Sequence, residues 1–230
     1  MIQSIQLGKY PCKIYEGSKI EKIIFWFVDT QRMEISNKVY EKIRAGKSEN
    51  NYALVVIGIF DWNRQLSPWD APAILGKDDF AGEGEVLKKW MVEEGIPKVL
   101  RHFNLEMKNI ELLIGGYSLA GLFALWTYYE TGLFQGVASC SGSLWYPEWM
   151  EYAKTHSPKE GSRIYLSLGT KEEKTQNKTL SQIGNYTREL YQWYKNTKNV
   201  KKAILEWNNG NHFTEVEERL VKGFLWLLRN

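Results

Sequence analysis

One serine in this chain has the sequence surroundings of a catalytic nucleophile. Ser118 follows the apolar run 112–114, with Gly116 two residues before it and Ala120 two residues after it. A strand can turn into a helix within so few residues only if both of these neighbours are nearly free of side chain. Such a turn raises the serine hydroxyl above the sheet edge and leaves the backbone N–H of Leu119 at the start of a helix, where it can help to hold an oxyanion. The pattern therefore predicts nucleophilic catalysis by Ser118.

A serine nucleophile needs a base, and the chain has only three histidines. His212 lies in the turn-rich stretch N-N-G-N-H-F, after the strand-like segment 203–207 and before the helical segment 214–228. His102 falls in a helical stretch and His156 in a polar segment, which indicates structural or solvated roles for both. We therefore predict that His212 is the base.

The base in turn needs an acid that fixes its tautomer and stabilises the imidazolium formed during reaction. The strand-like segment 163–168 is followed by G-T-K-E-E-K, which places Glu172 just past the strand end. Ser118, Glu172 and His212 then occur in the chain order serine, acid, histidine. Glu173 is an alternative acid, and K-E-E-K is also typical of a solvated charged loop.

The elements that must position these residues alternate between strand and helix patterns along the chain. This alternation predicts an α/β fold with a mostly parallel central sheet and helices on both faces. Residues 2–15 are interpreted as an antiparallel edge pair that turns at Gly8 and Pro11. Besides those already named, strands are predicted at 23–28, 53–60 and 137–140, and helices at 34–44, within 86–103, and at 180–194.

Loops that follow parallel strands lie where ligands bind in such folds. Two of the predicted loops carry Trp62 with Trp69, and Trp145 with Trp149. If these rings line the cleft beside Ser118, they favour a small-molecule substrate with an aromatic or glycosyl group, through stacking and apolar burial. The alternative is that the rings pack the loops themselves.

Composition limits the number of domains, the kinds of partner and the cofactors that this chain is expected to have. The 230 residues, with 43% hydrophobic and 25% charged, are typical of one globular domain spanning 1–230 without a large lid domain. The net charge of +3 gives no electrostatic argument for nucleic acid or membrane partners. The N-terminus lacks a signal-peptide pattern and no apolar run is long enough to span a membrane, so we expect a cytoplasmic protein. Cys12 and Cys140 have neither disulfide nor metal spacing, and we expect no metal and no organic cofactor.

Taken together, five motifs resemble the esterase D-like (putative esterase) family of the α/β-hydrolase superfamily. The resemblance extends from about residue 22 to the C-terminus. The motifs are D-W-N-R-Q-L-S-P-W at 61–69, G-Y-S-L-A-G at 116–121, S-G-S-L-W at 141–145, L-G-T-K-E-E-K-T at 168–175 and G-N-H-F at 210–213.

The resemblance implies an α/β-hydrolase fold in which Ser118 is the nucleophile, His212 the base and Glu172 the acid. The sequence departs from the family pattern at two places. Ala120 replaces the last glycine of G-x-S-x-G, and Asp29-Thr30 stands where H-G or D-G is usual after the first central strand. We predict the backbone N–H groups of Leu119 and Thr30 as oxyanion donors.

These observations predict a serine hydrolase that cleaves carboxylic esters through an acyl-enzyme, with no cofactor. An acyltransferase using the same three residues is an alternative, because an acceptor alcohol can replace water. A peptidase or thioesterase is another, since the same groups cleave amides and thioesters. A non-catalytic binding protein of the same fold is less consistent with serine, acid and histidine in the expected order.

Overall fold

A central eight-stranded sheet organises the computed structural model, which describes residues 2–46, 50–74 and 76–230. The strands are β1 (Ile2–Leu7), β2 (Tyr10–Glu16), β3 (Lys22–Asp29), β4 (Tyr52–Ile59), β5 (Asp70–Ala71), β6 (Phe80–Ala81), β7 (Glu111–Tyr117), β8 (Gly136–Cys140), β9 (Ser162–Gly169) and β10 (Val200–Asn208). The α-helices are α1 (Ile35–Gly46), α2 (Trp62–Gln65), α3 (Gly84–Trp90), α4 (Ile96–His102), α5 (Leu119–Thr131), α6 (Trp149–Thr155), α7 (Ile183–Asn196) and α8 (Val216–Arg229). A π-helical turn, Met91–Gly95, joins α3 to α4, and short 3₁₀ helices lie at Thr30–Arg32, Met107–Asn109 and Leu180–Gln182.

The sheet order is β1-β2-β4-β3-β7-β8-β9-β10. From β4 to β10 all neighbouring strands are parallel, whereas β1 and β2 form an antiparallel edge. The strands β5 and β6 make a separate two-stranded ribbon. Because the six parallel strands share one direction, the loops after β3, β4, β7, β8, β9 and β10 all emerge at the same edge of the sheet.

Apolar side chains bury both faces of the sheet. One face packs against α3, α4, α5 and α7 through residues such as Leu87, Phe123 and Leu190. The other face packs against α1 and α8 through residues such as Val39 and Phe224. Two layers of helices around a parallel sheet confirm the predicted α/β-hydrolase fold.

The N-terminal edge pair forms as predicted, but one of its two turn positions was wrong. The chain turns at Gly8, whose φ of 64° suits glycine. Pro11 instead lies within β2, opposite Gln6 of β1. The pairing of β2 with β4 begins only at Cys12, so the missing N–H of Pro11 interrupts no hydrogen bond with β4.

Cys12 and Cys140 are both buried, and neither forms a disulfide. Burial raises the pKa of the Cys140 thiol to about 12, which removes the thiolate that a reactive cysteine requires. Within residues 2–46, 50–74 and 76–230, no helix is long and apolar enough to cross a membrane.

Candidate active site

The turn after β7 holds Ser118 in a conformation that few non-glycine residues adopt. Its φ is 59° and its ψ is −127°, at the junction between β7 and α5. A Cβ atom added to Gly116 would lie 2.5 Å from backbone atoms of Ala120. The turn is therefore possible only because residue 116 has no side chain and residue 120 has only a methyl group. The Ser118 hydroxyl makes no capping bond to α5 and stays available for chemistry.

His212 lies on the loop between β10 and α8 and contacts both of the other predicted residues. Its Nε2 is 3.0 Å from Ser118 Oγ, and its Nδ1 is 2.7 Å from Glu172 Oε2. A carboxylate can only accept hydrogen bonds, so Nδ1 carries the proton and Nε2 of the neutral ring accepts from the serine hydroxyl. The Tyr117 hydroxyl donates to the His212 carbonyl oxygen at 2.7 Å and helps to fix the loop.

Glu172 lies in the turn after β9 and its side chain is only 4% exposed. Its second oxygen, Oε1, accepts hydrogen bonds from Ser141 Oγ at 2.8 Å and from the Gly169 N–H at 2.7 Å. Burial alone would raise the pKa of the carboxyl. Hydrogen bonding and attraction to His212, with the bonds from Ser141 and Gly169, outweigh burial and hold the pKa of Glu172 below its ordinary value. Glu172 is therefore a carboxylate at neutral pH.

Glu173 points away from this cluster. Its carboxylate pairs with Arg188 of α7 at 2.7 Å, and both side chains are partly exposed. The structure thus distinguishes the two glutamates that the sequence left as alternatives, since only Glu172 contacts His212.

Arg219 is a charged residue at this site that the sequence analysis missed. It lies in the first turns of α8, is fully buried, and reaches Glu172 Oε1 with Nη1 at 2.7 Å. The sequence did contain an indication of this role, because the helical pattern places Arg219 on the same core-facing side of α8 as Leu220 and Gly223. A cation at a core-facing helical position requires a buried acceptor.

The two predicted oxyanion donors lie at the same edge of the sheet. Leu119 is the first residue of α5, so its N–H has no helical carbonyl to bind one turn earlier. On the loop after β3, the Asp29 carboxylate accepts from the Gln31 N–H at 2.7 Å. Thr30 lies between Asp29 and Arg32, which both line the cavity beside Ser118, and its N–H stays a prediction as the second donor.

Two cavities open on either side of Ser118 and His212. The first, of about 370 Å³, has mainly apolar walls from β3, α8 and the start of α1, with Asp29 and Arg32 at its edge. The second, of about 490 Å³, is lined by Trp145 and Leu180, with Lys171 and Lys174 among its polar residues. A substrate spanning both cavities would place its scissile bond at Ser118.

The predicted aromatic residues divide between these cavities and the protein interior. Trp62 lines the first cavity and Trp145 the second. Trp69 lies in neither: its Nε1 donates to the Pro147 carbonyl and its ring packs against Tyr146, which favours the alternative that this ring packs its own loop. Trp149 is fully buried, which favours the same alternative for that ring.

One aromatic residue that sequence analysis did not select lines both cavities. Phe213, next to His212, is 81% exposed and forms part of the wall on each side of Ser118. His156 lines neither cavity; its Nδ1 lies 2.9 Å from the Tyr152 carbonyl oxygen and its ring stacks on the Tyr152 ring. In the described portion of the chain, no group of three or more His, Cys, Asp or Glu side chains is placed to hold a metal ion.

A parallel sheet, a serine at the turn after a central strand, and a carboxylate and a histidine on later loops together define an α/β-hydrolase. Residues 24–227 match the model of the family described as Putative esterase. The chain belongs to this family, and it is a carboxylic-ester hydrolase. A search of curated protein sequences finds no significant match.

Solved structures with the same fold include proteins described as hydrolases and an esterase. The siderophore hydrolase EstA from Aspergillus nidulans is 16% identical, with a TM-score of 0.76 over 100% of this chain and 94% of that one. An IroE-like serine hydrolase from Shewanella oneidensis is 13% identical, with a TM-score of 0.80 over 100% and 80%. The enterobactin esterase FES from Shigella flexneri is 18% identical, with a TM-score of 0.71 over 100% and 60%. At these identities the likeness shows the fold.

Proposed function

We propose that this esterase cleaves small-molecule carboxylic esters through an acyl-enzyme formed on Ser118. The supporting observation is the unbroken chain of hydrogen bonds from Ser118 Oγ through the His212 ring to Glu172, with heavy-atom distances of 3.0 and 2.7 Å. The 3.0 Å distance lies within the range for proton transfer from a nucleophile to its base, and the 2.7 Å distance within the range for the hydrogen bond that orients the base.

In the first half of the reaction, Ser118 Oγ attacks the ester carbonyl while His212 Nε2 takes the hydroxyl proton. Backbone N–H groups of Leu119 and Thr30 would stabilise the negative oxygen of the tetrahedral intermediate. His212 then gives its proton to the leaving alcohol, and the acyl group stays on Ser118. In the second half, water repeats the sequence on the acyl-enzyme and releases the acid. Glu172 holds the ring and stabilises its positive charge at both stages.

The two cavities support a substrate with groups of appreciable size on both sides of the ester. The rings of Trp62 and Trp145, one in each cavity, favour aromatic or glycosyl groups. Two of the structural neighbours named above are described as a siderophore hydrolase and an enterobactin esterase. We therefore include aromatic siderophore esters among the proposed substrates.

The proposal is tested by offering the purified protein a panel of alkyl, aryl and glycosyl esters and separating the products. We expect release of the free acid and the alcohol in equal amounts, and transient acylation of Ser118 visible by intact mass. The same assay with added acceptor alcohols distinguishes an acyltransferase, which would give a new ester in place of the acid. A protein that binds the esters but releases no product would contradict the proposal.

Within that panel, esters with an aromatic or glycosyl group should react with a higher kcat/KM than alkyl acetates of similar chemical reactivity. One stacked ring contributes on the order of 1 kcal/mol, which corresponds to about fivefold. Trp145→Ala should reduce this preference without abolishing acetate hydrolysis. Trp69→Ala is the matched control, because it removes an equally large ring that lies in neither cavity. Equal preference in the parent and Trp145→Ala would remove Trp145 from substrate binding.

A further inference from the structure

Arg219 links the three chain segments that carry the proposed catalytic residues. Its Nη1 lies 2.7 Å from Glu172 Oε1 and 3.0 Å from both Ser141 Oγ and the Tyr117 hydroxyl. Its Nη2 donates to the backbone carbonyls at positions 209 and 211, at 3.2 and 2.9 Å. The guanidinium therefore contacts Glu172, Tyr117 beside the nucleophile, and the loop that carries His212.

The fork of the guanidinium suits this task because its donors leave one planar group in fixed directions. With Oε1 of Glu172 taken by Arg219, Ser141 and the Gly169 N–H, only Oε2 is directed at His212. The same Arg219 side chain also binds the carbonyls of the His212 loop. The position of the imidazole relative to the carboxylate is therefore fixed by one residue.

The local sequence makes room for this arrangement. A Cβ atom added to Gly169 would lie 2.7 Å from Arg219 Nη2 and 2.9 Å from Glu172 Oε1. The residue at the end of β9 thus has no side chain where the guanidinium and the carboxylate approach the backbone.

We propose that Arg219 is a positioning residue, which sets the orientation of Glu172 and the His212 loop and thereby raises kcat. This inference rests on the proposed function, since it needs His212 to act as the base. A residue with a merely structural role would stabilise the fold equally well but would leave turnover unchanged once the protein is folded.

The test compares Arg219 with Arg163, a second buried arginine that is paired with a glutamate. The side chain of Arg163 is 8% exposed and pairs with Glu111 near the start of β9. The end of β9, at Gly169, lies six positions further along the strand than Arg163, about 20 Å away. Arg219→Met removes the cation beside the buried Glu172, and Arg163→Met removes one of two cations beside Glu111, which keeps Lys22 at 3.2 Å. Each change also removes a buried guanidinium and its contacts, so both should lower the melting temperature.

In Arg219→Met we expect kcat to fall by roughly 10- to 100-fold with KM within about twofold of the parent, whereas Arg163→Met should keep the parent kcat. All rates are measured at a temperature where melting curves show each variant folded. If the methionine variant does not fold, Arg219→Lys and Arg163→Lys replace the pair. A lysine ammonium keeps the charge but cannot hold Glu172 and both loop carbonyls together, so Arg219→Lys should still lose about tenfold in kcat.

A double-mutant cycle with Glu172→Gln separates positioning from a general disturbance of the site. Because Arg219 acts partly through Glu172, the fold-loss in kcat caused by Arg219→Met should be several-fold smaller in the Glu172→Gln background than in the parent. Equal costs in both backgrounds, or equal kcat in the Arg219 and Arg163 variants, would overturn the inference. Full activity of Ser118→Ala and His212→Ala would instead overturn the proposed function, whatever the Arg219 variants do.

Discussion

Replacing Ser118 with alanine is expected to lower kcat by roughly 10⁴- to 10⁶-fold, and His212→Ala should do the same. Such losses correspond to about 5.5 to 8 kcal/mol of transition-state stabilisation. Each change removes one end of the 3.0 Å contact through which the serine proton leaves. Because the two residues act as a unit, the double variant should be only a few-fold slower than either single variant. Steady-state rates on the best ester of the panel measure all three.

The other two histidines provide matched controls for this result. His102 lies at the end of α4 and His156 follows α6, so His102→Ala and His156→Ala should stay within about twofold of the parent rate. A fluorophosphonate should label one residue, Ser118, in the parent and none in Ser118→Ala, because only a base-activated serine reacts readily. Losses that multiply in the double variant, or labelling of another serine, would contradict a shared mechanism.

The sequence was sufficient to predict the main elements of the fold because each is strongly patterned. The run of apolar residues in β4 and the helical spacing in α5 report local burial directly. The short α6 and the ribbon of β5 and β6 were not predicted from the sequence, since they have few residues and depend on contacts with the neighbouring loops. Cytoplasmic location stays a prediction from the sequence.

The site was only partly predictable, because side-chain direction on a loop is set by tertiary contacts. Trp62 and Trp145 line the two cavities, while Trp69 donates to the Pro147 carbonyl and lines neither of them, although all three occur in similar loop sequences. Arg219 could have been selected from its core-facing helical position, but its acceptors lie on segments 8 to 102 residues away in sequence. No local pattern encodes such distant partners.

The two adjacent glutamates after β9 give the second large prediction. Glu172→Gln should lower kcat by roughly 10²- to 10⁴-fold, since nucleophile and base remain but the ring loses the carboxylate that fixes its tautomer and its charge. Glu173→Gln should stay within a few-fold of the parent, because Glu173 pairs with Arg188 at the surface. The same substitution at neighbouring positions makes each variant the control for the other.

The glutamine side chain has nearly the volume of glutamate and keeps one oxygen that can accept from Arg219, so Glu172→Gln should remain folded. Melting curves recorded beside the rates check this.

The pKa of Glu172 lies below its ordinary value, so the carboxylate contributes stability at neutral pH that is lost as pH falls through its folded-state pKa. The parent should therefore lose more stability than Glu172→Gln on acidification. If Glu173→Gln were the slow variant, the acid would be Glu173. If both variants turned over at the parent rate, His212 would work without a carboxylate from this loop. The 2.7 Å contact between His212 and Glu172 would then be structural only.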